Sequence, residues 1–312
     1  MSFPVLMEVP PGFPEVPTPE DNVYTEQRWL LGKKLFFDPI MSADSSLSCA
    51  ACHQPDLAFS DNQAFSKGVE QRLGSRNSPS LVNLAYHPYF TREGGVPTLE
   101  MQILVPIQEH NEFDFNILLI AERMRQDSTY VQMAWDAYER EPDPYVITRS
   151  LACFERSLLS GNSSYDQYER GESDIPPDAL RGKALFFSER TQCSSCHSGF
   201  NFTDYRFANN GLYAQYSDEG RFRLTGNEQD MAVFKVPSLR NVGLTAPYMH
   251  DGSLATLADV VAHYNSGGED HPNKSPLLQP LFLSAQEQND LVTFLAHLTD
   301  YSFVENPIFQ QE

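Results

Sequence analysis

Positive charge is scarce in this chain: 22 Lys and Arg stand against 42 Asp and Glu, a net charge of −20. Such a surface repels phosphate backbones and anionic lipid headgroups. It argues against nucleic acid as a partner and is compatible with a basic protein. Long apolar runs are missing, so no membrane span is expected. The stretch Met1 to Pro11 has neither the basic start nor the apolar block of a signal peptide. Tryptophan occurs only at Trp29 and Trp135. Cysteine is also scarce, five in 312 residues, and four of the five fall in two short motifs. No disulfide framework is therefore expected. The fifth, Cys153, lies in the apolar-periodic run Ile147 to Leu159 and reads as a small buried side chain.

The two motifs are Cys49-Ala50-Ala51-Cys52-His53 and Cys193-Ser194-Ser195-Cys196-His197. C-x-x-C-H is the attachment signature of c-type haem. Two thiols at this spacing reach the two vinyl groups of one porphyrin, and the His that follows can ligate the iron. Two copies imply two covalent haems, whose propionates would deepen the negative charge. Haem attachment of this kind normally takes place outside the cytoplasm. The chain is therefore expected to be periplasmic or otherwise exported, its start being a processed or re-engineered end.

Each motif sits in a similar frame. Leu31-Gly32-Lys33-Lys34-Leu35-Phe36-Phe37 precedes the first, and Arg181-Gly182-Lys183-Ala184-Leu185-Phe186-Phe187 precedes the second. Phe59-Ser60-Asp61 follows one and Phe202-Thr203-Asp204 the other. This internal repeat predicts a mostly α protein of two cytochrome c-like domains, each with one covalent haem. Residues 1–20, rich in proline, read as an extended tail, 21–161 as the N-terminal domain and 162–312 as the C-terminal one, with the polar stretch 162–178 as the boundary. Helices are expected from Thr25 to Phe37, Leu99 to Ile107, Asn116 to Tyr138 and Pro144 to Leu159. A last helix is expected after Ser284, with Glu287 placed for a capping box. Little strand is expected beyond short hairpins. The long loop Asn201 to Met231 is a candidate functional segment.

Two haems alone permit simple electron transfer. Peroxide chemistry needs an iron with an open position. On this point the sequence resembles a known family. The two-haem repeat, the segment Thr98-Leu99-Glu100-Met101-Gln102, and Pro237-Ser238-Leu239-Arg240-Asn241-Val242 followed by Thr245-Ala246-Pro247-Tyr248-Met249-His250-Asp251-Gly252 are similar to the bacterial dihaem cytochrome c peroxidase/MauG family. The similarity covers about residues 25–300.

The resemblance implies unequal haems. The N-terminal one, over His53, would react with peroxide, and the C-terminal one, on His197, would relay electrons. The family's second relay ligand falls on Tyr264, seven residues after Leu257, which resembles the Tyr-ligated MauG/MbnH-like branch. His263, Met249 and His271 are the competing ligands. Peroxidase members carry a removable His after the first motif, but Gln54 to Tyr86 contains none, so the open position would be permanent. His87 reads as a surface or supporting residue. The family's distal pair falls on Gln102 and, ten residues on, Glu112, with Glu109 as fallback. There an amide would orient peroxide and a carboxylate would move its proton. The usual Trp between the haems is absent from Phe90-Thr91-Arg92-Glu93, so another route is expected, through Tyr89 or Phe90. The resemblance also implies a calcium ion held through Asn77, Thr245 and Pro247. The expected function is oxidation of a partner protein's aromatic side chains by hydrogen peroxide. The alternatives are a cytochrome c peroxidase fed by a small redox protein, and a non-catalytic dihaem electron-transfer cytochrome.

Overall fold

The computed structural model describes residues 7–311; residues 1–6 and 312, including the first part of the expected tail, lie outside the described residues. The chain divides into two compact units. Unit 1 comprises 1–87, 96–160 and 303–312, and unit 2 comprises 88–95 and 161–302.

In unit 1, α1 (Glu26–Phe37) begins at Thr25, whose hydroxyl accepts from the Arg28 N–H. Two short helices follow, α2 (Leu99–Gln102) and α3 (Leu104–Gln108). The expected run from Leu99 is broken at Ile103 because Pro106 has no N–H to return to the Gln102 carbonyl. The expected helix Asn116 to Tyr138 is likewise two helices, α4 (Ile117–Arg125) and α5 (Ser128–Tyr138). Asp127 divides them by accepting from the Thr129 N–H at 2.8 Å and capping a new start. Next, α6 (Pro144–Arg156) is capped by Asp143 and stops at Ser157, short of Leu159.

Unit 2 opens with α7 (Ser164–Glu169), inside the polar stretch read as a boundary; its capping box pairs Ser163 with Asp166. It continues with α8 (Pro177–Phe186) and a short pair of strands, β1 (Phe207–Ala208) and β2 (Phe234–Lys235), antiparallel with Phe207 opposite Lys235. Between these strands lies α9 (Phe222–Thr225). Then come α10 (Leu257–Ser266), with a Thr256/Asp259 capping box, and α11 (Ala285–Ala296), with the expected Ser284/Glu287 box. The unit boundary falls within α12 (Tyr301–Val304).

The repeat in sequence is a repeat in packing. In unit 1, α1 lies on α6; in unit 2, α8 lies on α11. Both crossings turn on a glycine. A Cβ on Gly32 would lie 1.9 Å from the Ser150 carbonyl oxygen, and one on Gly182 would lie 1.9 Å from that of Asp290. Only glycine lets the backbones come so near. The aromatic cores match as well. Phe36 meets Phe154 at 5.0 Å and Phe59 at 5.7 Å; Phe186 meets Phe294 at 5.2 Å and Phe202 at 6.0 Å. All six are at most 2% exposed, each contributing about 2–3 kcal/mol of apolar burial.

Among the described residues, no helix is long and apolar enough to cross a membrane.

Candidate functional site

Each C-x-x-C-H motif folds as a single 3₁₀ turn, Cys49–Ala51 in one unit and Cys193–Ser195 in the other. The His N–H closes the turn onto the first Cys carbonyl, at 3.0 Å for His53 and 2.9 Å for His197. This turn gathers the two sulfurs and the imidazole of each motif. His53 Nδ1 donates to the Phe59 carbonyl at 2.9 Å, and His197 Nδ1 donates to the Phe202 carbonyl at 3.1 Å. An Nδ1 that carries the proton leaves Nε2 with its lone pair, the form an iron requires. Burial pushes both imidazoles below their ordinary value, against the carbonyls of Phe59 and Pro79 on one and Phe202 and Pro237 on the other.

Those carbonyls are aimed by an unusual backbone. Phe59 and Phe202 both take positive φ, 58° and 50°. An aromatic residue adopts this conformation at a cost of about 1–2 kcal/mol, offset here by burial of its ring. A second matching segment holds the loop in place. Pro79-Ser80-Leu81-Val82-Asn83 corresponds to Pro237-Ser238-Leu239-Arg240-Asn241. Ser80 Oγ donates to the Ala58 carbonyl at 2.6 Å, and Ser238 Oγ donates to the Asn201 carbonyl at 2.7 Å. Asn83 and Asn241 share φ near 58°. In unit 2, Arg240 is 4% exposed; it donates to the Phe200 carbonyl and pairs with Asp166 of α7 at 2.5 Å. This second repeat and the Arg240 clamp escape the reading of the sequence alone.

The expected distal residues of unit 1 have distinct surroundings. The Oε1 atom of Gln102 is buried and has no hydrogen-bond partner among the described residues. A buried, unsatisfied amide oxygen is costly and points to a partner outside the chain. Its helix is anchored two residues earlier. Glu100 pairs with Arg156 of α6 at 2.8 Å and accepts from Asn22 Nδ2 at 2.8 Å, and both members of the ion pair are buried. Burial works to raise the Glu100 carboxyl, but Arg156 and Asn22 prevail and hold it below its ordinary value.

Glu112 is an exposed residue by surface area, yet the protein around its carboxyl pushes it up to about 7, desolvation acting first and the Glu109 charge second. Its field is among those that burial and neighbouring acids exert on the Cys49 and Cys52 thiols, which sets Glu112 near the motif. Its backbone is fixed by Val69 N–H, which donates to the Glu112 carbonyl at 2.9 Å. The alternative acid, Glu109, is likewise exposed; it accepts from the Asn111 N–H at 3.4 Å within its own turn. One further acid was not singled out by sequence. Glu155 on α6 is buried, its carboxyl raised to about 8 by burial, and its charge also acts on Cys49.

In unit 2, Tyr264 lies on α10 as expected. Burial pushes its phenol up to about 12, a hydrogen bond with the Asn210 side chain opposes this, and Cys193 and Cys196 add to it. The hydroxyl therefore lies near the thiols of the second motif. The competitors are engaged elsewhere. His263 Nε2 meets the Asn210 carbonyl at 2.9 Å, the Met249 sulfur accepts from Asn210 Nδ2 at 3.1 Å, and His271 Nδ1 accepts from the Asn273 N–H at 3.1 Å.

The remaining expectations are located as follows. Asn77 belongs to unit 1, where its Nδ2 donates to the Gln63 carbonyl, whereas Thr245 and Pro247 belong to unit 2, where Pro247 follows Ala246 through a cis bond. Tyr89 belongs to unit 2, stacks on Phe207 at 5.0 Å and donates to the Tyr205 carbonyl; Phe90 is buried. Trp29 is buried, with its Nε1 donating to Ser157 Oγ, and Trp135 is half exposed. Cys153 is buried and its thiol is pushed up to about 11.

Comparison with known proteins gives the family. Residues 26–174 match the family of di-haem cytochrome c peroxidases, and residues 179–299 match cytochrome c. Methylamine utilization protein MauG of Methylorubrum extorquens is 38% identical, over 91% of this chain and 81% of its own. Cytochrome-c peroxidase IdrP1 of Denitromonas iodatirespirans is 34% identical, over 95% of this chain and 87% of its own. The crystal structure of a MauG-like protein associated with microbial copper homeostasis superposes with a TM-score of 0.93 at 33% identity, over 97% of this chain and 98% of that one. The protein is a peroxidase-type haem oxidoreductase built on two c-type haem domains, and it belongs to the di-haem cytochrome c peroxidase/MauG family.

Proposed function

We propose that the protein uses hydrogen peroxide at the N-terminal unit to oxidise a partner protein, an exported MauG-like activity directed at aromatic side chains. The observation that carries this reading is the inequality of the two motifs. A buried amide oxygen without a partner among the described residues and a carboxyl near neutrality accompany the first; a buried phenol lies near the second.

The assignments are these. Cys49 and Cys52 attach one haem, and Cys193 and Cys196 the other. His53 and His197 would hold the irons through Nε2, and Tyr264 would be the second protein ligand in the C-terminal unit. Bound there, haem supplies the redox chemistry that peroxide reduction requires. Gln102 holds peroxide by its side-chain amide. The Glu112 carboxylate takes the proton from one peroxide oxygen and returns it to the other, a task suited to a carboxyl balanced near 7. Glu100, Arg156 and Asn22 keep Gln102 in place. A bound calcium ion, as the family resemblance implies, and a periplasmic location complete the proposal.

A second reading is peroxide removal with electrons from a small redox protein, favoured by the relatives named cytochrome-c peroxidase. Both readings share the N-terminal chemistry. Mixing the diferric holoprotein with one equivalent of peroxide tests that chemistry. An immediate spectral change, slowed at least about a hundredfold in Glu112→Gln, supports it. A diferric protein that stays inert contradicts it.

A further inference from the structure

The loop that leads from Asn210 to Tyr216 carries a line of aromatic rings that the proposed function does not use. Tyr264 shares its Asn210 hydrogen-bond partner with Tyr216, whose hydroxyl stands 3.5 Å from Asn210 Oδ1. The Tyr216 hydroxyl also accepts from the Leu212 N–H at 2.8 Å, which fixes its ring. Tyr213 follows, ring to ring with Tyr216 at 5.4 Å, and it is 36% exposed. His250 lies 5.8 Å from Tyr216 and is stacked 4.4 Å from Phe234, which closes the side of the line.

Tyr213 ends in a hydrogen bond to a carboxylate. Its hydroxyl donates to Asp251 Oδ2 at 2.6 Å. Burial would raise the Asp251 carboxyl, but hydrogen bonds from Tyr213 and Ser253 outweigh it and keep the group below its ordinary value. The carboxylate is thus ionised at neutral pH and free to accept a proton. A tyrosine cannot give up an electron alone without forming an acidic radical cation. A carboxylate already bonded to the phenol removes that barrier, because the proton leaves with the electron.

We propose that Tyr213 is a surface redox port, oxidised by one electron with Asp251 as its proton acceptor. The inference rests on the peroxidase reading above, since peroxide is the oxidant. The step balances. One electron passes from Tyr213 by way of Tyr216 towards the centre at Tyr264, which has been oxidised at the expense of peroxide. The Tyr213 O–H bond breaks and its proton goes to Asp251 Oδ2, leaving a neutral tyrosyl radical. An external one-electron donor at the surface then reduces the radical, and the proton returns from Asp251.

The test is residue-level radical mapping of the holoprotein. A nitroso spin trap is present when one equivalent of peroxide is added, and the trapped adducts are located by peptide mass spectrometry. Label on Tyr213 is expected, falling at least about tenfold in Asp251→Asn and recovering in Asp251→Glu. The Asn retains the turn in which Asp251 accepts from the Ser253 N–H, so loss of fold does not mimic the result. In the same variant, the first spectral change with peroxide should match that of the wild type. Label at Trp135 or another residue instead, or label on Tyr213 that is indifferent to Asp251→Asn, overturns the port while leaving the peroxidase reading standing. A wild-type protein whose spectrum does not respond to peroxide overturns both.

Discussion

Nδ1 of His53 lies 2.9 Å from the carbonyl oxygen of Phe59, a residue held at positive φ, and the same relationship recurs between His197 and Phe202 at 3.1 Å. Backbone conformation thereby determines which imidazole nitrogen carries the proton. The serine hydroxyl of the repeated Pro-Ser-Leu-x-Asn segment ties down the residue before each of these phenylalanines.

Removing that hydroxyl should loosen one imidazole and leave the other alone. Ser80→Ala is expected to cost about 1 kcal/mol and to shift the spectrum and potential of the N-terminal haem only; Ser238→Ala should do the same for the C-terminal haem. Absorbance and potentiometric titration of the holoprotein check this. Equal shifts at both haems in either variant would contradict it.

The glycines at the helix crossings admit no side chain. Gly32→Ala and Gly182→Ala each force a methyl against a backbone carbonyl, and each is expected to destabilise its unit by about 2–3 kcal/mol, as read from urea unfolding. An unchanged midpoint would mean that the helices cross less closely than described.

Glu100 carries a stability prediction with a definite sign. Its folded carboxyl is held below the ordinary value, so its contribution is present above the unfolded value and is lost as pH falls through the folded one. Glu100→Gln leaves Arg156 buried without its counter-charge and should cost about 3–5 kcal/mol at pH 7. The penalty should shrink in acid, where the wild type also loses the pair. A pH-independent penalty would contradict the assignment.

For Glu112 the sign is opposite. With its carboxyl at about 7, the proton-accepting form grows as pH rises through neutrality. The rate of the first step with peroxide should climb between pH 6 and 8, roughly tenfold per unit below the midpoint. Stopped-flow mixing checks this, and Glu112→Gln should be slow and flat over the same range.

Much of this was legible in the sequence because haem attachment is a local matter. C-x-x-C-H demands its own spacing, and the capping box at Ser284 and Glu287 is satisfied within a single turn. The Gly-Lys-x-Leu-Phe-Phe repeat was visible too, although its glycine gains a reason only when Ser150 and Asp290 come into view. What escaped depends on distance along the chain. Arg240 reaches Asp166 across 74 positions, and Asn22 reaches Glu100 across 78. The helix at Ser164 was hidden by its polar composition, since Asp166 serves both a cap and a buried ion pair. The break at Asp127 was obscured by apolar periodicity that continues on both sides of a capping residue.

The central claim is that the two irons differ, one open and one closed. Low-temperature EPR of the resting diferric holoprotein tests it most directly, with and without peroxide. The account predicts one high-spin signal that peroxide abolishes beside one low-spin signal, and in Tyr264→Met only the low-spin signal should move. Two low-spin signals that peroxide leaves unchanged would contradict it.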